Sequence, residues 1–314
     1  MKVARGLFLV CLSCWADCSQ CHREQADSFK HTAMANALQP VASCDILKQH
    51  PKLKFREGTY TSEIVRDGDR SILTASDGTN TISVPLLYAF GLGQAGQTYV
   101  FEKDGAFYES RASFFNALQE LDLTMGAQGS KPASLEEALG RRMDKGDTKA
   151  CFGCHTHGAE RLPGVGCESC HGTQVTHPST KMNRLLLMTS DEMSELCGAC
   201  HRTWSQIALN GPQGVNNVRF QPYRLSNSKC YDATDARIRC TACHDPHRDP
   251  IRETKFYDVK CNACHSIAAH GRLCRVAKSN CVSCHMPKVD LPGAHTKFTD
   301  HQIRIARIGA PYPN

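Results

Sequence analysis

The sequence has few of the residues from which a chain of its length usually builds an apolar core. It contains 314 residues but only 2 tryptophans, and aromatic residues make up 7%. The hydrophobic fraction is 41%, a value that includes 19 cysteines. Without the cysteines it falls to about 35%, which is thin for a chain of one to three domains. Something other than aliphatic side chains must fill part of the interior.

Long hydrophobic runs are also missing. The mean hydropathy is −0.39, and no stretch approaches the roughly 20 apolar residues that a membrane-spanning helix needs. We therefore expect neither an integral membrane protein nor an α/β enzyme of ordinary composition.

The N-terminal segment has the pattern of a secretory signal. Lys2 and Arg5 precede an apolar run over residues 6–15, and the small residue Ala16 follows. This order is typical of an exported protein, so we predict a signal peptide over residues 1–16 and a periplasmic or extracellular location. The alternative is a buried N-terminal helix. No lipobox precedes a cysteine, so a lipid anchor is not expected.

Cysteine is abundant and it follows a strict pattern. Fourteen of the cysteines form seven copies of C-x-x-C-H, the attachment motif of c-type haem. Two thiols bond the porphyrin vinyl groups and the following imidazole binds the iron. The predicted thioether cysteines are Cys18, Cys21, Cys151, Cys154, Cys167, Cys170, Cys197, Cys200, Cys240, Cys243, Cys261, Cys264, Cys281 and Cys284, and the predicted proximal ligands are His22, His155, His171, His201, His244, His265 and His285. Zinc ribbons and disulfide scaffolds do not require the histidine, so the sequence predicts seven covalent haem c (heme c) groups.

The remaining histidines can supply the second axial ligand. Eight lie outside the motifs, and seven bis-histidine haems need seven of them. The distal candidates are His31, His157, His177, His247, His270, His295 and His301. His50 is the spare, because it precedes Pro51 at the head of a long segment without haem motifs. Each distal candidate could instead contact solvent or a propionate. With histidine on both faces we expect low-potential haems.

The expected net charge of the protein changes once haem is included. The formal charge is +6, and loss of Lys2 and Arg5 with the signal would lower it by two. Each ferric bis-histidine haem adds two propionates and one positive charge, which brings the oxidised protein to about −3. The basic residues then balance propionates, and nucleic-acid binding is not expected.

The chain divides unevenly around these motifs. We predict a single-haem segment over residues 17–44, a β-rich insert without haem over residues 45–130, and a six-haem domain over residues 131–314. Asp-Gly pairs between β-rich runs predict hairpins and an antiparallel meander of four or five strands in the insert. Helices are predicted over residues 133–143 and from Thr189 onwards. The predicted fold is thus a mostly irregular and α-helical multihaem cytochrome, with short helices and loops around stacked haems, plus a small antiparallel insert.

Two further patterns need an interpretation. Residues 91–96 match G-x-G-x-x-G, but a strand-like run follows in place of a helix, so we expect a β-turn and no nucleotide cofactor. Of the five cysteines outside the motifs, Cys11 and Cys14 lie in the predicted signal. We predict a disulfide between Cys230 and Cys274, which leaves Cys44 free, buried or intermolecular.

Several segments resemble the multihaem c-type cytochromes. They are residues 164–172 with His177, residues 240–247, residues 28–34, and residues 281–288 with His301. The nearest resemblance is to the branch that contains the tetrahaem electron acceptors of hydroxylamine oxidation and the doubled C-x-x-C-H proteins. The resemblance covers residues 17–40 and 150–305, and it implies haems stacked in pairs and a role in electron transfer. The sequence departs from the tetrahaem members in motif number and in the β-rich insert.

Two classes of function remain open at this point. An electron carrier needs only closely spaced haems, and we favour it because no motif has the lysine of pentahaem nitrite reductases. The alternative is an oxidoreductase of nitrogen compounds with one open haem site, or else a subunit of a larger complex or filament. The expected partners are other cytochromes or a quinol or terminal oxidoreductase, with self-association as a further option.

Overall fold

The computed structural model describes residues 18–172, 180–266, 274–307 and 309–313. The predicted signal with Cys11 and Cys14, and the predicted ligands His177 and His270, lie outside the described residues. No helix in the described ranges has the length and apolar character needed to cross a membrane.

A large antiparallel sheet dominates the first half of the chain. Its nine strands are β1 (Leu38–Pro40), β2 (Lys52–Glu57), β3 (Tyr60–Asp67), β4 (Arg70–Ser76), β5 (Thr81–Phe90), β6 (Gln97–Lys103), β7 (Ala106–Phe115), β8 (Glu120–Leu123) and β9 (Gly140–Arg142). Strands β2 to β8 pair in chain order, β1 adds to β5, and β9 adds to β7. Because β2 also lies against β8, the sheet curls until it is nearly closed.

Local turn chemistry explains the meander. Gly58 between β2 and β3 has a φ of +59°, and the Asp104-Gly105 turn between β6 and β7 has positive φ at both residues. Such turns twist in the same sense as the strands they join. Strand β4 then alternates buried and half-buried residues, with Leu73 and Ala75 facing inward. The sheet therefore encloses its own core, which includes Leu53, Ile64, Leu73, Tyr99, Phe101 and Phe114.

The predicted fold class is wrong, because the chain is 33% helical and 25% strand and carries a nearly closed sheet of at least seven strands. The Asp-Gly hairpins are where they were predicted, but the strands are more numerous. The run over residues 54–66, which looks like one strand, is broken at Gly58 into β2 and β3. Strands β1 and β9 are three residues long and form only through pairing with distant partners, so no local pattern marks them.

The helices in the described residues are short, they are joined by long loops, and most of them lie in the second half of the chain. The helices are α1 (Arg23–Phe29), α2 (Asp45–Gln49), α3 (Leu135–Leu139), α4 (Lys145–His155), α5 (Glu168–His171), α6 (Thr180–Leu187), α7 (Ser190–His201), α8 (Trp204–Asn210), α9 (Gln221–Ser226), α10 (Cys240–Cys243), α11 (Asp258–His265) and α12 (Cys281–His285). Two small hairpins join β10 (Thr156–His157) to β11 (Leu162–Pro163) and β12 (Lys288–Asp290) to β13 (Lys297–Thr299). The predicted start of α7 is confirmed: Thr189 and Glu192 form a capping box.

The glycine-rich loop is a sheet turn, as predicted. It joins β5 to β6, so a strand follows it. Gly93 has a φ of +77°, and a Cβ there would lie 2.3 Å from the side-chain oxygen of Asn116. Glycine is required at this position by the backbone conformation and by close packing.

The sheet core should depend strongly on Leu73, which is only 2% exposed. We predict that Leu73→Ala lowers the free energy of unfolding of the sheet by about 2–5 kcal/mol, because it leaves a cavity among fixed neighbours. Urea unfolding followed by far-UV circular dichroism measures this loss. Leu118→Ala is the control, since Leu118 is 41% exposed; equal effects of both changes would contradict the described core.

Candidate functional site

Each C-x-x-C-H motif forms a single helical turn. Motifs are named here by their histidines. The His171 motif and the His244 motif close with hydrogen bonds of 2.9 Å from the histidine N–H to the carbonyl of the first cysteine, and the His22 motif closes with one of 2.8 Å. Residues three apart share one face of a helix, so both thiols point to the same side. The local fold therefore matches what two adjacent vinyl groups require.

The motifs lie beside one another although they are far apart in sequence. The Sγ of Cys154 lies 3.5 Å from the carbonyl oxygen of Ala199, and the Sγ of Cys200 lies 4.0 Å from the carbonyl of Cys154. Thiol contacts also join Cys18 to Cys167, Cys197 to Cys240, and Cys261 to Cys281. These contacts join the motifs into three groups: the His22 and His171 motifs, the His155, His201 and His244 motifs, and the His265 and His285 motifs.

The His171 and His247 imidazoles face each other. Their ring centroids are 6.0 Å apart and their planes differ by 11°. An imidazole nitrogen bonds a first-row metal at about 2.0–2.1 Å, so two imidazoles on opposite sides of one ion have centroids roughly 6 Å apart. A carboxylate oxygen of Asp245 lies 3.2 Å from Nδ1 of His247. The centroid distance is therefore compatible with His247 as the second imidazole opposite His171, and this ligand role stays a prediction.

His244 and His301 form a second opposed pair. Their ring centroids are 6.2 Å apart, with an interplanar angle of 41°. Burial, with a smaller contribution from the neighbouring imidazole of His244, lowers the pKa of His301 to about 4. His301 is thus neutral at pH 7, the state in which imidazole binds a metal.

Hydrogen bonds to backbone carbonyls fix the tautomer of four histidine rings. The Nδ1 of His155 lies 2.8 Å from the carbonyl oxygen of Ala37, and corresponding distances of 2.9 Å are found for His157, His285 and His301, whose acceptors are the carbonyls of Gly164, Arg304 and Thr299. A carbonyl can only accept, so Nδ1 carries the proton in each ring. The lone pair is then on Nε2, and a hydrogen bond from the other ring nitrogen to a carbonyl is the usual way in which a metal-binding histidine is oriented.

Other predicted ligands have different surroundings. His31 is exposed beside Asp27, and His50, the predicted spare, packs against Phe114 of the sheet core with 4.7 Å between ring centroids. His295 also lies against the sheet: its Nε2 is 2.7 Å from a carboxylate oxygen of Asp122. The structure thus brings His247 and His301 to attachment-site histidines, and it places His295 at the sheet.

The N-terminal motif segment is held by close backbone packing. The N–H of Val165 donates to the carbonyl of Met34 over 3.1 Å, and the N–H of Ala33 donates to the carboxylate of Asp249 over 2.8 Å. Gly164 has a φ of +86°, and a Cβ there would lie 1.9 Å from the carbonyl oxygen of Ala35. Only glycine allows this approach, which places the segment after the His22 motif over the loop before the His171 motif.

The His155 motif packs against the sheet. Phe152 on α4 packs edge-on against Tyr88 and Phe90, with ring centroids 5.4 Å and 5.3 Å away, and Phe90 contacts the His155 ring at 5.1 Å. A cavity of about 800 Å³ lies between this helix and the sheet, and four cationic side chains line it: Arg142, Lys145, Lys149 and Arg161. The β-rich segment therefore contributes directly to the surroundings of one motif.

A buried ion pair that sequence reasoning missed lies next to His301. Arg224 and Asp300 have fully buried side chains, and the guanidinium Nε donates to the carboxylate over 2.8 Å. No local signal marks Arg224 as its partner, because the two residues meet only through the tertiary fold. The acidic residue beside His301 is the one hint that the sequence offers.

Three cysteines outside the motifs lie in the described residues, and all three carry free thiols. Cys230 and Cys274 are both exposed and unpaired, so the predicted disulfide does not form. Cys44 is buried, its Sγ lies 3.1 Å from the side-chain oxygen of Gln97, and burial raises its pKa. It is therefore a core residue of the sheet. Across the described ranges, His, Cys, Asp and Glu side chains form no group of three or more arranged to hold a bare metal ion.

Comparison with known proteins gives one match. The family model described as cytochrome c554 and c-prime matches residues 17–62, which include the His22 motif and His31. The match covers 46 of the 314 residues, and it supports a c-type cytochrome with covalently bound haem c and a role in electron transfer. No curated protein and no solved structure matches the chain.

Asp258 connects two motif helices and should be important for their packing. It begins α11, and its carboxylate accepts the backbone N–H of Asn280 at 2.6 Å and of Cys281 at 2.8 Å, at the start of α12. These two donors hold the pKa of Asp258 below its usual range. The carboxylate therefore stabilises the fold above its ordinary pKa, and this contribution is lost as the pH falls below about 4.

We predict that Asp258→Ala lowers the Tm by a few degrees at pH 7 and makes the protein less sensitive to acid between pH 5 and 3, because the helix loses its remote N-cap. Calorimetry across this pH range measures both effects. Asp258→Asn keeps an acceptor oxygen and should lose less. An unchanged Tm in both variants would contradict the capping role.

Proposed function

We propose that this protein is an exported multihaem c-type cytochrome that carries electrons along haem c groups attached at all seven motifs. The opposed pairs His171–His247 and His244–His301, with centroids 6.0 and 6.2 Å apart, are the observation that carries this proposal. Both separations fit two imidazoles on one iron, and both pairs join a motif histidine to a predicted distal histidine.

Haem c, when bound, supplies a one-electron iron couple whose potential depends on its axial ligands and its exposure. The chain supplies the attachment and the ligand geometry. The two cysteines of each motif hold the group, and the following histidine binds from one side. In the opposed pairs the second imidazole would bind from the other side, so we expect no open coordination position at those sites.

The second ligand comes from another part of the chain in each opposed pair. His247 follows the His244 motif directly but faces the His171 motif. His301 lies beyond the His285 motif but faces His244. Such crossed ligation joins neighbouring attachment motifs into one unit, which favours a fixed array over independent haem domains.

The thiol contacts give a proposed order for this array. The His22 motif adjoins the His171 motif, the His201 motif adjoins both the His155 and the His244 motifs, and the His265 motif adjoins the His285 motif. Proximity of Cys170 to Cys197 and of Cys243 to Cys261 links these groups. We infer a continuous path from the first motif to the last, with the His155 motif as a side branch.

The basic cavity beside α4 supports haem at the His155 motif. Arg142, Lys145, Lys149 and Arg161 line it together with the apolar ring of Phe152, and these four cations outnumber the one carboxylate of the lining, that of Asp144. Cations around an apolar surface suit the two propionates and the macrocycle of one haem. Part of the excess of basic residues over acidic residues in the sequence would then neutralise the propionates of the haem at the His155 motif.

Location and partners follow from this proposal. An exported cytochrome receives and delivers electrons through other redox proteins, so we propose periplasmic or extracellular partners such as cytochromes or a quinol or terminal oxidoreductase. The exposed ends of the proposed path are the places for these contacts.

Spectroscopy of the purified full-length protein tests the proposed function. We predict that intact-mass measurement gives seven haem additions. In EPR of the oxidised protein, His247→Ala and His301→Ala should each convert one low-spin haem to a high-spin haem, because each removes an axial ligand. His50→Ala is the control and should leave the spectrum unchanged.

Two outcomes would overturn parts of the proposal. Fewer than seven additions would disprove the haem count. A high-spin signal in the unaltered protein, together with rapid binding of cyanide or nitrite, would favour an enzyme with an open haem site over a carrier.

A further inference from the structure

A single buried carboxylate connects the histidines of two attachment motifs. We propose that Asp300 is a shared positioning residue: it fixes His301 opposite His244, and through Arg304 it fixes the orientation of His285. This inference rests on the proposed function, because it assigns Asp300 a role toward the axial ligands of two haems. It concerns residues that have no direct contact with iron.

The side chain of Asp300 is completely enclosed by hydrogen-bond donors. One oxygen accepts Arg224 Nε at 2.8 Å and the backbone N–H of Gln302 at 3.0 Å. The other accepts Arg224 Nη2 at 3.0 Å and Arg304 Nη1 at 2.5 Å. The relative exposure of both Arg224 and Asp300 is 0%. All four contacts act together, so the carboxylate has one orientation in the fold.

Arg224 is in turn held by groups from two parts of the chain. Its Nη1 donates to the carbonyl of Pro313 at 2.8 Å and to Asn217 at 3.2 Å, and its Nη2 donates to Gln302 at 2.7 Å. The guanidinium also lies 4.6 Å from the centroid of the Tyr312 ring. Because α9 anchors Arg224, the ion pair joins the segment around His301 to the helical core.

The backbone on both sides of His301 is fixed by this network. The N–H of Asp300 donates to the carbonyl of Pro287 over 3.0 Å, and the N–H of Ile303 donates to Ser228 over 2.8 Å. The Ser228 hydroxyl donates to the carbonyl of His301 itself over 3.2 Å. With the His301 Nδ1 held by Thr299, the ring has little freedom to turn away from His244.

Arg304 carries the effect of Asp300 to the His285 motif. Its side chain binds Asp300, its carbonyl accepts Nδ1 of His285 at 2.9 Å, and its N–H donates to the carbonyl of His285 at 3.2 Å. Loss of Asp300 would therefore release Arg304 and loosen the hydrogen bond that sets the tautomer of His285. One carboxylate thus acts on two predicted ligands, the distal candidate His301 and the motif histidine His285.

Stability alone does not account for this arrangement. Removing two charges from water is costly, and an apolar pair of similar volume often stabilises a fold equally well. An apolar pair, however, has no directional bonds to the backbone N–H of Gln302 or to Arg304. The charged pair specifies an orientation that hydrophobic packing does not, and ligand geometry is the property that needs it.

Asp300→Asn in the full-length haem-loaded protein tests this role. We expect an unchanged haem count and an EPR spectrum in which the low-spin signal lost in His301→Ala is also lost or converted to high spin. A second haem, that of the His285 motif, should show a shifted reduction potential in a redox titration. Asp290→Asn is the matched control, because Asp290 lies on β12 in an exposed ion pair with Lys297; it should change neither readout.

A second variant keeps the test decisive if Asp300→Asn does not fold. Arg224→Lys retains the buried charge but loses the two-pronged bond, and it should give the same spectral change at full haem count. Low-spin spectra and potentials identical to the unaltered protein in either folded variant would overturn the positioning role. No spectral effect of His301→Ala would instead overturn the proposed ligand pair itself, and with it the basis for this inference.

Discussion

An iron held between two imidazoles needs ligands on opposite faces, but one short chain segment can reach only one face. A C-x-x-C-H turn places its two thiols and its histidine on the same side of the porphyrin. The opposite imidazole must therefore come from another part of the chain, and we propose His247 for this role opposite His171 and His301 opposite His244. In the proposed array this constraint would account for the short helices and long loops of the second half of the chain, since a loop that contains a distal histidine has to reach a second motif.

The same constraint accounts for the polar groups buried in this half. A loop that delivers a ligand has little helix or sheet to fix it, so side-chain hydrogen bonds take over that role. Asp258 joins α11 to the start of α12, and the pair of Arg224 and Asp300 holds the segment that contains His301. The sheet has a different solution: its regular pairing forms a core of its own, and Phe152 attaches one motif to it through aromatic contacts.

Sequence reasoning succeeded where the information is local. The seven motifs, the Asp-Gly turns and the capping box at Thr189 can each be read from a few consecutive residues, and the structure forms the turns and the box as predicted. It failed where contacts between residues far apart in sequence determine the structure. The size of the sheet depends on β1 and β9, which pair with strands far along the chain, and on the break at Gly58. The contact of His295 with Asp122 and the burial of Arg224 likewise have no local signature.

Crossed ligation has a consequence for how the protein is made. Synthesis runs from the N-terminus, so the cysteines of the His171 motif emerge well before His247, and those of the His244 motif emerge well before His301. In the proposed array a haem attached early would wait, with one imidazole only, until the later histidine has folded into place. The maturing chain would thus pass through intermediates whose irons are exposed to adventitious ligands. In the proposed array the network around Asp300 would hold His301 in place, and it would so end this exposure at the His244 motif.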